Sequence, residues 1–193
     1  MNQKVQFPET VMLIDATFLN MIIADFKKNF EQMLQRTLTE IDLSNLVTYL
    51  AFDASLPTES NDIQVLLVHD KSTKKINHCY PSDLQNELDG VGFQNHLGDF
   101  SFASVSPEEI TSREELYTDL LNIIGDSIDV KRIILIPFTE EYGNAVSTLV
   151  ENIKGKNITW FSMDQPKENT HFHWEMLAYP IMQALGIKGD ELK

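Results

Sequence analysis

The sequence predicts a three-layer α/β sandwich around a mostly parallel five-stranded sheet. Three observations carry that expectation. Five short strand-like runs occur at residues 11–17, 62–70, 98–106, 130–138 and 157–163. Four of them are nearly all apolar, as strands covered on both faces must be. Between them lie segments whose apolar residues recur at helical spacing. No internal repeat or low-complexity linker interrupts the alternation, so one domain over residues 1–193 is expected.

The first run, "VMLIDAT", is apolar up to Asp15. The segment "FLNMIIADFKKNFEQMLQRT" then sets Leu19, Ile22, Ile23, Phe26, Phe30, Met33 and Leu34 on one helical face and Asp25, Lys27, Lys28 and Glu31 on the other. "IDLSNLVTYLAFDASL" reads as a second helix, started by Asp42 or Ser44 and stopped before Pro57. "DIQVLLVHD" is the second strand. A loop, "KSTKKINHCYP", leads to a short helix around Ser82–Leu88. "GDFSFASVS" alternates Phe100 and Phe102 with small residues and forms the third strand. Ser112 followed by Glu115 gives a capping-box pattern at the head of a helix over Arg113–Ile124. "VKRIILIPF" is the clearest strand, "TEEYGNAVSTLVENIKG" a helix closed by Gly155, and "NITWFSM" the fifth strand. Residues 165–193 form a tail in which "FHWEMLAYPIMQALG" reads as a helix bent or restarted at Pro180. Trp174, Leu177, Ile181 and Leu185 share one face of it. That face packs on the tail's own sheet or, as the second expectation, on a partner in a homodimer.

Lys and Arg number 15 against 29 Asp and Glu, a formal charge of −14. That disfavours an extended RNA or DNA footprint, which rests on basic side chains neutralising phosphates. A small metal-dependent site acting on phosphodiesters stays open. Cys79 is the single cysteine, so no intramolecular disulfide forms and a reducing compartment is expected. No apolar stretch reaches signal-peptide or membrane-spanning length, and the expected location is cytoplasmic. Glycine-rich phosphate loops and a G-x-S-x-G elbow do not occur. His69, His78 and Cys79 lack the further ligands of a zinc site, as do His171 and His173.

In parallel sheets, sites gather at the carboxyl ends of the strands. Those ends offer Asp15 with Thr17, His69 with Asp70, Ser104 with Ser106, Thr139 with Glu140 and Glu141, and Ser162 with Asp164. Glu114, Glu115 and Asp119 open the helix between the third and fourth strands. Carboxylates at one edge are the hard oxygen ligands that Mg²⁺ or Mn²⁺ takes. Such an ion activates water and stabilises charge on a phosphoryl group. Each acid also has a local reading as a helix cap or a solvated turn. The basic loop carries Lys71, Lys74 and Lys75; Lys74 and Lys75 are the expected phosphate contacts, against the reading of a solvated loop.

A first strand ending in Asp15, a helical insertion, and "KRIILIPFTEEYGNAVSTLVENIKGKNITWFSM" resemble the PIN-like superfamily, and most of all its NYN branch, over residues 11–164. The resemblance implies a Rossmann-like sheet and, in active members, a Mg²⁺- or Mn²⁺-dependent ribonuclease built on clustered Asp residues. Asp15 matches the first-strand acid. Pro137 to Tyr142 fall on the acidic turn, with Glu141 before Tyr142 where Asp precedes Phe. Asp119, or else Glu115, stands for the central-helix acid. The implied catalytic set is Asp15, Asp119, Glu140 and Glu141, with Asp15, Asp119 and Glu141 on the metal. The departures are Phe18 where Asn is often found, the missing Ser-Gly-Asp opening, and Glu in place of Asp, which moves a carboxylate outward by about one methylene. The first expectation is therefore a divergent, non-catalytic module that binds an unidentified protein through its acidic edge or its tail. The alternative is a Mg²⁺- or Mn²⁺-dependent ribonuclease.

Overall fold

Six residues, Thr10–Asp15, form the first strand, β1, and every one of them is buried. The computed structural model describes residues 6–168 and 170–193. After β1 the chain forms α1 (Ala16–Leu34), β2 (Ile41–Asp42), α2 (Leu43–Asp53), β3 (Asn61–Val68), β4 (Cys79–Tyr80), β5 (Gly92–Asn95) and β6 (Gly98–Val105). It continues through α3 (Arg113–Asp126), β7 (Arg132–Ile136), α4 (Thr139–Asn152), β8 (Asn157–Ser162), β9 (His173–Met176) and α5 (Ala178–Ala184). A sheet of order β5-β6-β3-β1-β7-β8-β9 results. Every pairing in it is parallel except β5 with β6. The two-residue strands β2 and β4 pair separately.

At β1, β3 and β7 both faces of the sheet are covered, which is why these strands carry unbroken apolar runs, whereas β6 alternates buried Phe100 and Phe102 with exposed Asp99 and Ser101. Met12 and Ile14 of β1 point into a core shared with Leu19 and Ile23 of α1, Leu46 and Leu50 of α2, and Ile181 of α5. Val11 and Leu13 point the other way, toward Tyr117 and Leu121 of α3 and Val146 and Val150 of α4. Asp15 caps α1 by accepting from the Phe18 amide, and Asp42 caps α2 through the Ser44 and Asn45 amides. The expected capping box between Ser112 and Glu115 opens α3.

The structure corrects three details. The sheet holds seven strands where the sequence suggests five, because β5 and β9 join its edges. "GFQN" is too short and polar to announce β5; it pairs by folding back on β6. "HWEM" forms β9 beside β8 and is no part of a helix, so Trp174 leaves the helical face assigned to it. The short helix before β5 is a π-helical turn at Leu84–Leu88. At the entry to β6, Gly98 has φ +140, and a Cβ there would lie 2.0 Å from the Asn61 carbonyl oxygen. Only glycine fits that approach.

Leu177, Ile181 and Leu185 are fully buried, so the tail folds back on its own domain, with α5 against α1 and α2. Arg36 at the end of α1 grips Glu191 with Nε and Nη2 at 2.7 and 2.8 Å. Among the described residues no helix is long and apolar enough to cross a membrane.

Truncating the tail's central side chain, Ile181→Ala, is expected to cost about 2–5 kcal/mol in urea unfolding; a cost under about 0.5 kcal/mol would separate the tail from the cooperative core. The Arg36 grip holds the Glu191 carboxyl down at about 2 from an ordinary 4.5. Its folded-state value is depressed, so its contribution is present above pH 4.5 and lost as pH falls toward about 2. The stability difference between the wild type and Glu191→Gln should shrink across that window, and a constant difference would break the link.

Candidate functional site

The strand order places the chain's change of direction at β1. From β1 the chain moves toward one edge through β3 and β6; α3 then carries it back across to β7 on the other side. In parallel sheets a crevice forms outside the carboxyl ends of the strands where the order reverses. Here that place is the end of β1, and Asp15 occupies it.

The Asp15 carboxylate is wholly inaccessible to solvent. A buried carboxylate needs partners in place of water, and Asp15 has three. Oδ1 accepts from the Phe18 amide at 2.8 Å. Oδ2 accepts from Arg113 Nε at 2.8 Å and from the Tyr142 hydroxyl at 2.5 Å. Arg113 turns its other nitrogens outward, Nη1 to Asp70 and Nη2 to Glu141 Oε2, the latter at 2.8 Å. Its guanidinium carbon lies 5.8 Å from the centre of the Phe138 ring, within reach of a cation–π contact. One planar cation thus joins the carboxylate that ends β1 to carboxylates that follow β3 and β7.

Local structure delivers each part. The capping box sets Arg113 in the first turn of α3, at the sheet's carboxyl edge. Helix α4 is interrupted at Tyr142, where φ is −137° and ψ 22°. Tyr142 is buried there, with its ring 5.4 Å from that of Tyr117. Burial pushes the Asp15 carboxyl above the usual carboxylate range, outweighing the opposing pull of Tyr142, the Phe18 amide and Arg113. Burial, and then the Asp15 charge, drive the Tyr142 hydroxyl far upward, so it stays a proton donor to Asp15. Away from this edge, burial pushes the Cys79 thiol up to about 12, which removes it as a nucleophile at neutral pH.

Of the strand-end acids singled out in the sequence, the structure brings together Asp15, Asp70 and Glu141 around Arg113; Asp70 lies outside the catalytic set that the resemblance implies. Glu140 and Asp119 are exposed and take no part in the Arg113 group. Lys74 and Lys75 are exposed on the loop after β3, with Lys74 lining a cleft beside Ser104. Among the described residues no group of three or more His, Cys, Asp or Glu is arranged to hold a metal ion. Sequence reading passed over Arg113. A signal existed: a cation in the first turn opposes the helix dipole, so its position calls for nearby anions.

Residues 4–192 match a family described as a family of unknown function, DUF6621. The chain belongs to DUF6621. No curated protein and no solved structure matches it. In this DUF6621 chain the edge presents a buried, hydrogen-bonded carboxylate behind an arginine, with the half-exposed Asp70 and the exposed Glu141 in front. Such a group cross-links elements and carries a fixed charge pattern to the surface.

Removing the cation while keeping its bulk, Arg113→Met, strands Asp15 and is expected to cost about 3–5 kcal/mol. Tyr142→Phe removes one bond to a charged group, for about 1.5–3 kcal/mol. Urea unfolding measures both, and a neutral Arg113→Met would contradict the arrangement.

Proposed function

We propose that this DUF6621 chain is a divergent PIN/NYN-like domain, catalytically silent at its carboxylate edge, that serves as a protein-interaction module. The observation that carries the reading is the Arg113 guanidinium bonded to Asp15, Asp70 and Glu141 at once. A divalent cation bridging those carboxylates would have to take the place of the guanidinium. Mg²⁺ also demands near-octahedral oxygen ligands at about 2.0–2.1 Å, usually with waters among them. Carboxylates spaced around a guanidinium serve that geometry poorly, and a guanidinium supplies no activated water. With its tail face used internally, the chain meets partners through its exposed surface. The charge of −14 favours a partner with a basic face, by steering and complementarity. Phe52 on α2 and Tyr179 on α5 stand exposed on helices that pack together, and supply apolar contact.

The alternative, a Mg²⁺- or Mn²⁺-dependent ribonuclease, draws support from the same convergence: Asp15, Asp70 and Glu141 all reach one cation. It requires Arg113 to swing out.

Calorimetric titration with Mn²⁺, on the wild type and Asp15→Asn, paired with an RNA-cleavage assay, separates the two. The silent reading expects no Mn²⁺ binding that depends on Asp15 and no cleavage. Asp15-dependent binding together with cleavage would overturn it in favour of the ribonuclease. The interaction half expects partner capture to weaken as ionic strength rises, and capture indifferent to salt would contradict it.

A further inference from the structure

We infer that Ser104 and His69 form a second site, a nucleophile–base pair suited to small polar acyl esters. Ser104 lies near the end of β6, and His69 directly follows β3, its paired neighbour. The His69 amide donates to the Val105 carbonyl at 3.0 Å, which holds the two segments in register. The imidazole is buried, and both of its nitrogens are engaged. Nδ1 lies 2.9 Å from the Asp70 carbonyl oxygen, and Nε2 lies 2.9 Å from Ser104 Oγ. A carbonyl only accepts, so in the neutral ring Nδ1 carries the hydrogen. Nε2 then has a free lone pair, and the Ser104 hydroxyl donates to it. That is the nucleophile–base–orienter order of hydrolytic triads, with a main-chain carbonyl in the orienting place.

Two further features separate the pair from a bond that only pins strand ends. Ser104 is half-buried and, with His69, faces a cleft of about 310 Å³ that Lys74, Asn86, Asp89 and Ser106 help to line. The Ser104 amide donates to Asp89 Oδ1 at 2.8 Å, fixing the backbone that carries the hydroxyl. The lining is mostly polar and the volume small, which suits a short polar acyl group.

The reaction follows from these positions. Ser104 Oγ attacks the ester carbonyl carbon while its proton passes to His69 Nε2. The π pair moves onto the carbonyl oxygen, in a cleft whose lining includes the Lys74 cation. The intermediate collapses, and the leaving alkoxide takes the proton from Nε2. Water then attacks acyl-Ser104 and gives a proton to Nε2. Collapse returns that proton to Ser104 and releases the acid. The net change is ester and water to acid and alcohol. The Arg113 group meets this pair only at Asp70, whose main-chain carbonyl orients His69 while its carboxylate holds Arg113; the site goes beyond the proposed interaction role and does not depend on it.

A fluorophosphonate probe on the full chain, read by peptide mass spectrometry, tests the pair. Labelling is expected on Ser104, absent from Ser104→Ala, and at least about 10-fold slower in His69→Gln, as loss of a general base requires. An unlabelled Ser104, or an unchanged rate in His69→Gln, would overturn the inference. Ser104→Cys gives a second reading that leaves His69 in place. Its alkylation by iodoacetamide should stay fast well below about pH 8.5, the ordinary thiol value. A rate that falls away through that value would equally overturn it.

Discussion

The buried Asp15 carboxylate is the constraint on which the rest of this edge depends. It ends the central strand of the sheet, where neither face nor edge admits water, and an unpartnered charge there would be costly. The fold answers with donors from three elements. The first turn of α1 gives an amide, α3 gives Arg113, and the interrupted start of α4 gives Tyr142. Because α1 covers one face of the sheet while α3 and α4 cover the other, a single carboxylate ties both layers to the strand between them. Arg113 extends the tie to the turn after β3 through Asp70.

Much of this architecture is legible in the sequence, for a plain reason. Strands buried on both faces must be apolar at every position, so β1, β3 and β7 declare themselves. The helices between them declare themselves by period, and α3 by its capping box. The edges are less legible because their stability comes from one neighbour only. β5 has four residues of mixed character, and β9 shares its apolar residues with a following helix that has its own spacing. Length and period alone do not separate a short edge strand from the helix after it.

The site was legible in part. Asp15, Asp70 and Glu141 are legible because each lies at or just past the carboxyl end of a strand. Asp119 and Glu140 could not be sorted from them, since one residue's shift along a helix or turn exchanges an inward carboxylate for an exposed one. Arg113 escaped because a search for metal ligands looks for acids, whereas the organising group is a base. The PIN/NYN resemblance points to the edge where Arg113 gathers Asp15, Asp70 and Glu141, and the proposed silence of that edge rests on the arginine among its acids.

A double-mutant cycle between Asp15→Asn and Arg113→Met, read by urea unfolding, tests the central claim most directly. If the guanidinium is what makes the buried carboxylate tolerable, the two substitutions are strongly non-additive. The double variant should then recover about 2 kcal/mol or more of the sum of the single losses, within the range of coupled neighbours. A coupling energy near zero would mean that Asp15 and Arg113 stabilise the fold independently, and the account built on their contact would fail.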